Sequence, residues 1–374
     1  MKSLALYIHI PWCIKKCPYC DFNSHAVSGE TPEKQYIETL LNDLSRDLQL
    51  ISKSAISSIF IGGGTPSLFS AESFDTLLQG ISSLIPLQEN LEITLEANPG
   101  TFESQKFADY RAIGINRLSI GIQSFNNLHL KNLGRVHSSE EALAAVEIAH
   151  KAGFDNFNLD LMFGLPGQTN SEMLTDIQTA IKLQPSHISF YQLTLEPNTY
   201  FHKFPPKLPE SDNIYTGQLQ AQKVLADAGY LQYEISAYAK DNAKCRHNLN
   251  YWEFGDYLGI GAGAHGKLSI SRPGNIVRSV KNKSPDKYLK DNKATLAKIS
   301  VIDMPLEYVM NQLRLKAGFT LKQYEMHTGL EAKSLQPALS DCLKEGLLMR
   351  QNDHYLCSEK GWDFLDHILE KFMP

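Results

Sequence analysis

No stretch of this 374-residue chain approaches the roughly 20 consecutive apolar residues that a helix needs to cross a bilayer. Cysteine is scarce as well: six in a chain this long are too few for a disulfide framework. Neither sign of charge dominates, with 36 Lys and Arg against 41 Asp and Glu and a net charge of −5, so no nucleic-acid partner is expected. Low-complexity segments are missing too. At the N-terminus, one positive charge and a short apolar run lead into Pro11-Trp12-Cys13 where a signal peptide would place small residues and a cleavage site. That run reads as a first strand, and the expected location is the cytoplasm. With 43% hydrophobic and 21% charged residues, what is present is an ordinary globular composition, long enough for roughly two to three domains.

The first half alternates strand-like and helix-like segments. Apolar or β-branched runs fall at Leu4–Ile10, Ser58–Ile61, Leu91–Ala97, Arg117–Gly121, Asn156–Phe163 and His187–Leu193. Between them lie helical patterns over Pro32–Leu50, Ala71–Leu84, Glu103–Ile113, Glu140–Ala152 and Ser171–Leu183. Such alternation predicts an α/β protein: a parallel sheet of right-handed βα units, a full or partial (β/α) barrel. Residues with chemical potential, Gly62-Gly63-Gly64, Glu96, Gln123 and Asp160, fall where those strands end, which is where barrels build their sites. After a Pro-rich connector come a helix near Ser211–Ala228, a strand-like Tyr230–Tyr238, a Gly- and aromatic-rich Cys245–Gly266, and a polar Ser271–Lys293 expected as loop. From Asp303 the order of three helices and a hairpin predicts a winged-helix-like unit, read as a packing module for want of a basic recognition helix. The domains predicted are therefore 1–240, 241–302 and 303–374.

Three cysteines crowd into eight residues: Cys13-Ile14-Lys15-Lys16-Cys17-Pro18-Tyr19-Cys20. These spacings let one loop wrap three thiolates around a compact metal centre. A Cys3His zinc site closed by His25 is the plainer alternative. A 4Fe–4S cluster held by three cysteines leaves one iron open for a small molecule.

The sequence around these cysteines, Tyr7 to Cys13 and Cys20-Asp21-Phe22-Asn23, resembles the radical S-adenosylmethionine (SAM) superfamily, in particular the group around oxygen-independent coproporphyrinogen III oxidase. The resemblance continues through Gly62-Gly63-Gly64-Thr65-Pro66, Glu96-Ala97-Asn98-Pro99, Gly121-Ile122-Gln123-Ser124, Asp160 to Pro166, and His247-Asn248-Leu249-Asn250-Tyr251-Trp252. It implies a radical SAM partial (β/α)6 TIM-type barrel carrying a 4Fe–4S cluster on Cys13, Cys17 and Cys20, with SAM on the open iron. It also implies a SAM pocket of Tyr7, Tyr19, Gly63, Gly64, Thr65, Glu96, Gln123, Arg135 and Asp160, with Gln192 a further alignment. Read singly, each polar member is equally an ion pair or strand-end cap.

Two features point away from the oxidases within this group. Phe22 stands where they carry an additional cysteine, and Cys13 lies close to Met1 where they carry an N-terminal extension. The H-N-x-x-Y-W motif resembles the heme-binding signature of the HemW group of heme chaperones, implying heme contacts at His247, Asn248, Tyr251 and Trp252. A His with flanking aromatics suits an axial ligand and stacking surface; it suits equally a hydrogen-bonded histidine beside a packed Tyr-Trp pair. Cys245 could link heme or be a buried thiol, and His265 is assigned no role. The resemblance implies heme, a heme-acceptor protein, a flavodoxin-type electron donor and transient contact with a membrane surface as partners. The rival expectations are coproporphyrinogen III oxidation and an iron–sulfur protein that holds SAM only structurally.

Overall fold

The computed structural model describes residues 2–27, 29–100, 105–270 and 274–374. Six strands run parallel in sequence order: β1 (Lys2–Ile10), β2 (Ser54–Gly63), β3 (Leu87–Ala97), β4 (Arg117–Gln123), β5 (Phe157–Phe163) and β6 (His187–Gln192). They are connected by α1 (Glu33–Asp47), α2 (Ala71–Leu84), α3 (Phe107–Ala112), α4 (Ser139–Lys151) and α5 (Asn170–Lys182). The start of the helix expected from Glu103 lies outside the described residues.

Local chemistry explains where these elements begin. Ser138 and Thr169 open α4 and α5 with reciprocal capping boxes to Glu141 and Glu172, which satisfy backbone N–H groups the helices leave bare. Gly80 in α2 lets α1 approach closely, since a Cβ there would stand 2.6 Å from Leu41. The strands are nearly unbroken apolar runs because helices cover one face and their own side chains fill the other.

The sheet does not close. After α6 (Ser211–Asp227), the hairpin β7 (Leu231–Glu234) and β8 (Ala237–Ala239) pairs antiparallel with β6 at one edge. Beyond α7 (Arg246–Trp252), β9 (Tyr257–Ile260) joins β1 in parallel, and β10 (His265–Ser269), β11 (Ile276–Val280) and β12 (Thr295–Lys298) extend that edge into a 12-stranded sheet. The segment expected as polar loop therefore holds a strand, β11, and a short helix, Pro285–Lys290; its first three residues lie outside the described residues. Lys281, directly after β11, is buried against Asp43 and Asp47 of α1, 2.8 Å from the latter.

The C-terminal unit has the expected winged-helix order. Helices α8 (Met304–Gln312), α9 (Leu321–Thr328) and α10 (Ala338–Lys344) pack on a small sheet of β13 (Phe319–Thr320), β14 (Leu348–Gln351) and β15 (His354–Cys357). It has its own core around Tyr308, Phe319 and Leu339, shared with Phe254 and Ile276 of the preceding segment. No helix among the described residues is long and apolar enough to cross a membrane.

Candidate functional site

β1 ends at Ile10, and the cysteine loop leaves through Pro11. Its two ends are clamped together: Trp12-Cys13 pairs with His25-Ala26, the His25 amide donates to Pro11 O at 2.7 Å, and Val27 N donates to Cys13 O at 2.9 Å. The glycine loop after β2 lies directly on this base. Gly64 N donates to Ile10 O at 2.8 Å and Thr65 N to Trp12 O at 2.7 Å, an approach with no room for a Cβ at Gly64.

Above this junction lies a cavity of about 400 Å³, lined by all three cysteines, Lys15, Lys16, Tyr19, Gly63, Gly64, Thr65, Glu96, Gln123, Arg135, Asp160 and Gln192. Residues from five strands and two loops thus meet in one space, although Asp160, expected at a strand end, is the middle residue of β5. The six cysteines are free, and among the described residues no three His, Cys, Asp or Glu side chains stand together as a preformed metal cage. The His25 ring turns away from the thiols, toward Asn23 Oδ1 at 3.3 Å and Lys283 O at 3.2 Å.

Arg135 organises the cavity wall. It donates to Asn98 Oδ1 at 2.7 Å and Gly121 O at 2.9 Å and approaches Cys17 Sγ at 3.7 Å, while Asn98 donates to Thr65 Oγ1 at 3.0 Å. Its Nε is buried without a partner among the described residues. Glu96 accepts from Gly63 N at 3.0 Å; burial, then the like charge of Asp160, raise its carboxyl to about 8. Asp160 is also raised by burial, opposed by hydrogen bonds from Ser119 at 2.9 Å and Asn158 at 2.9 Å. Gln123 holds a left-handed backbone, φ 69°, and accepts from Tyr191 OH at 2.8 Å. Asn98 and Tyr191 were not singled out in the sequence. Asn98 could have been, since it follows Glu96 just past a strand end; Tyr191 offers no local signal.

A second cavity of about 480 Å³ adjoins the first and shares Gly63, Glu96, Asp21 and Phe22 with it. Tyr7 faces this second space, not the first, with its hydroxyl 2.9 Å from His9 Nδ1. Tyr251 and Trp252 line it too; Asn248 of the same helix α7 does not. His247 is fully buried behind Tyr251: its Nδ1 stands 3.0 Å from Ser58 Oγ and its Nε2 2.8 Å from Tyr251 OH. In this arrangement it is a hydrogen-bonded core histidine, and Tyr251 would have to move before either nitrogen met a ligand. Cys245 is likewise buried, against Glu92.

The residues present fit the cofactors of a radical SAM protein. Three thiols on one loop face a cavity whose wall offers an orphaned guanidinium nitrogen, a glycine cradle and two carboxyls with capacity to accept from a cation. Residues 7–180 match the radical SAM superfamily and residues 299–364 the HemN C-terminal domain. Over its whole length the chain is 49% identical to the heme chaperone HemW of Haemophilus influenzae, covering 98% of that protein, and 46% identical to that of Escherichia coli, covering 99%. The mouse mitochondrial radical S-adenosyl methionine domain-containing protein 1 is 33% identical over 99% of this chain and 87% of its own. In fold the chain is similar to coproporphyrinogen III oxidase (HemN) from Escherichia coli, a radical SAM enzyme, with TM-score 0.83, 22% identity, and coverage of 99% of this chain and 90% of that one. The chain belongs to the HemW family within the radical SAM superfamily.

Proposed function

We propose that this protein binds heme and hands it to an acceptor protein, using a SAM-ligated 4Fe–4S cluster to enable or regulate the transfer. The observation that carries this reading is the full-length match to heme chaperones at 46–49% identity, in a chain whose aromatic motif opens onto a cavity beside the cysteine loop.

In this reading Cys13, Cys17 and Cys20 hold the cluster; burial raises the Cys13 and Cys20 thiols, so a cationic centre is what would bring them to thiolate. Arg135, with its spare Nε, takes the SAM carboxylate, and Glu96 and Asp160 take its amino group and ribose hydroxyls. Gly63, Gly64 and Thr65 supply the backbone cradle, Gln123 fixes the barrel mouth, and Tyr19 packs beside the thiols. When bound, cluster and SAM supply one-electron reductive chemistry. Tyr251 and Trp252 present heme with an aromatic wall, and His247 holds the Tyr251 hydroxyl in place.

Residues 1–240 act as the barrel core, 241–302 as the segment bearing the aromatic motif, and 303–374 as a packing unit. The exposed rim of Lys15 and Lys16 suits an acidic one-electron donor of the flavodoxin type. Six free cysteines suit the reducing cytoplasm, with a transient membrane-surface contact where the acceptor is membrane-bound.

The test is anaerobic reconstitution with iron and sulfide, then heme titration with and without SAM. A Soret band at stoichiometric heme is expected. No Soret band, or turnover of coproporphyrinogen III to the decarboxylated product, overturns the reading.

A further inference from the structure

Resting on that heme-binding reading, we propose that heme occupies the second cavity with His265 as the axial ligand of its iron and Lys283 at its propionate edge, while His247 acts only through Tyr251. Four histidines come near this space, and three are already committed, His25 through its Nε2, 3.3 Å from Asn23 Oδ1 and 3.2 Å from Lys283 O. His247 is buried with both ring nitrogens engaged, and its ring packs 5.2 Å from that of Phe60. His9 is 5% exposed, with Nδ1 at Tyr7 OH and Nε2 2.9 Å from Asn23 O.

His265 lines the cavity, as His9 does, but it is exposed and its ring makes no hydrogen bond among the described residues. Partial burial, then the charges of Lys283 and Arg278, lower its pKa, which favours the neutral ring whose lone pair iron needs. The imidazole lone pair fills an open axial position and displaces a water; no electron moves.

The backbone holds this residue in place. Gly261 and Gly263 take φ 106° and 80°, and a Cβ on either would run into His9 O or Asn23 Nδ2 at 2.4 Å. Asn23, three residues beyond Cys20, donates to Ala262 O and Lys283 O, both at 2.9 Å. One side chain from the cysteine loop therefore pins both the turn before His265 and the segment bearing Lys283.

The charges sort in the same way. Arg278 is taken up by Glu307 and by Tyr257 OH at 3.0 Å, and Lys267 is buried 3.5 Å from Asp256. Lys283 is exposed with no ion pair among the described residues, which suits it to a carboxylate guest.

The experiment titrates hemin, and separately iron-free protoporphyrin IX, into cluster-loaded full-length protein. His265→Ala is expected to weaken hemin by about tenfold or more and to shift its Soret band. Protoporphyrin IX binding should stay unchanged, and added imidazole should restore the band position. Lys283→Ala should weaken both porphyrins, most at low salt, without moving the band. His247→Ala should weaken both porphyrins through Tyr251 and leave the band where it was. The proposal is overturned if His265→Ala binds hemin with the wild-type affinity and spectrum, or if His247→Ala alone loses the axial-ligand signature. A wild-type protein with no Soret band would instead bring down the heme reading itself, and this inference with it.

Discussion

Glu96 shows how one residue can carry the charge logic of the site. Its carboxyl, ordinarily near 4.5, is raised to about 8, so between those values the native state holds a proton that the unfolded chain has lost. Stability should therefore fall as pH rises through this window. Glu96→Gln should flatten that slope in thermal melts, leaving the unliganded variant relatively more stable at pH 8 than at pH 5; an unchanged slope would count against burial as the cause. Titration calorimetry of SAM in buffers of different ionisation enthalpy should show a proton released at pH 7, because a cationic amino group favours the carboxylate. At this scale the sequence is informative for residues at strand ends and silent about their partners. Glu96 and Gln123 stood out by position, whereas the hydrogen bond from Tyr191 to Gln123 links residues 68 apart.

Among the elements, the contact of glycine loop with cysteine loop is the least forgiving. Gly64→Ala would place a Cβ 2.5 Å from Trp12 O, which is backbone and cannot rotate aside. A loss of about 1–3 kcal/mol is expected in urea denaturation, with reduced iron content after reconstitution. Ser138→Ala, by contrast, removes only the cap of α4 and should cost about 1 kcal/mol while iron content holds. The six parallel strands were legible because buried strands read as apolar runs bounded by Gly, Pro or polar residues. Their lengths were less so: β2 begins at Ser54, four residues before its expected start, because Ser54 and Ser57 interrupt the apolar run. Strands β10 to β12 were hidden for a related reason. All four residues of β12 are exposed, and Arg278 sits in the middle of β11.

Across the whole molecule, the added edge of the sheet is tied to the barrel by a buried charge network. Lys281 meets Asp43 and Asp47, and Asp43 also accepts from Tyr288 OH at 2.6 Å. Burial raises the Asp43 carboxyl to about 6 even though Lys281 pulls it down. Lys281→Met leaves two carboxyls facing each other in the interior, and a loss of about 3–5 kcal/mol is expected near pH 8. Without the lysine the pKa of Asp43 climbs further, so the deficit should shrink towards pH 5, where Asp43 takes up a proton and the repulsion is relieved. Thermal melts across that range check the sign, and adding Asp43→Asn should recover part of the loss. This network escapes sequence reading because its members lie over 230 residues apart and each looks like ordinary surface charge. The second cavity escapes for the same reason, with walls drawn from residues between Tyr7 and Asn311.

Because Gly63 and Glu96 form a partition with a chamber on either side, guests in the two chambers are thermodynamically linked. A guest that alters the protonation of Glu96 from one side changes the affinity of the other, and the reverse effect is equal in size. Loading of the second chamber would then be legible as a shift in the grip on SAM, so a carrier built this way could sense its own cargo without a separate regulatory site.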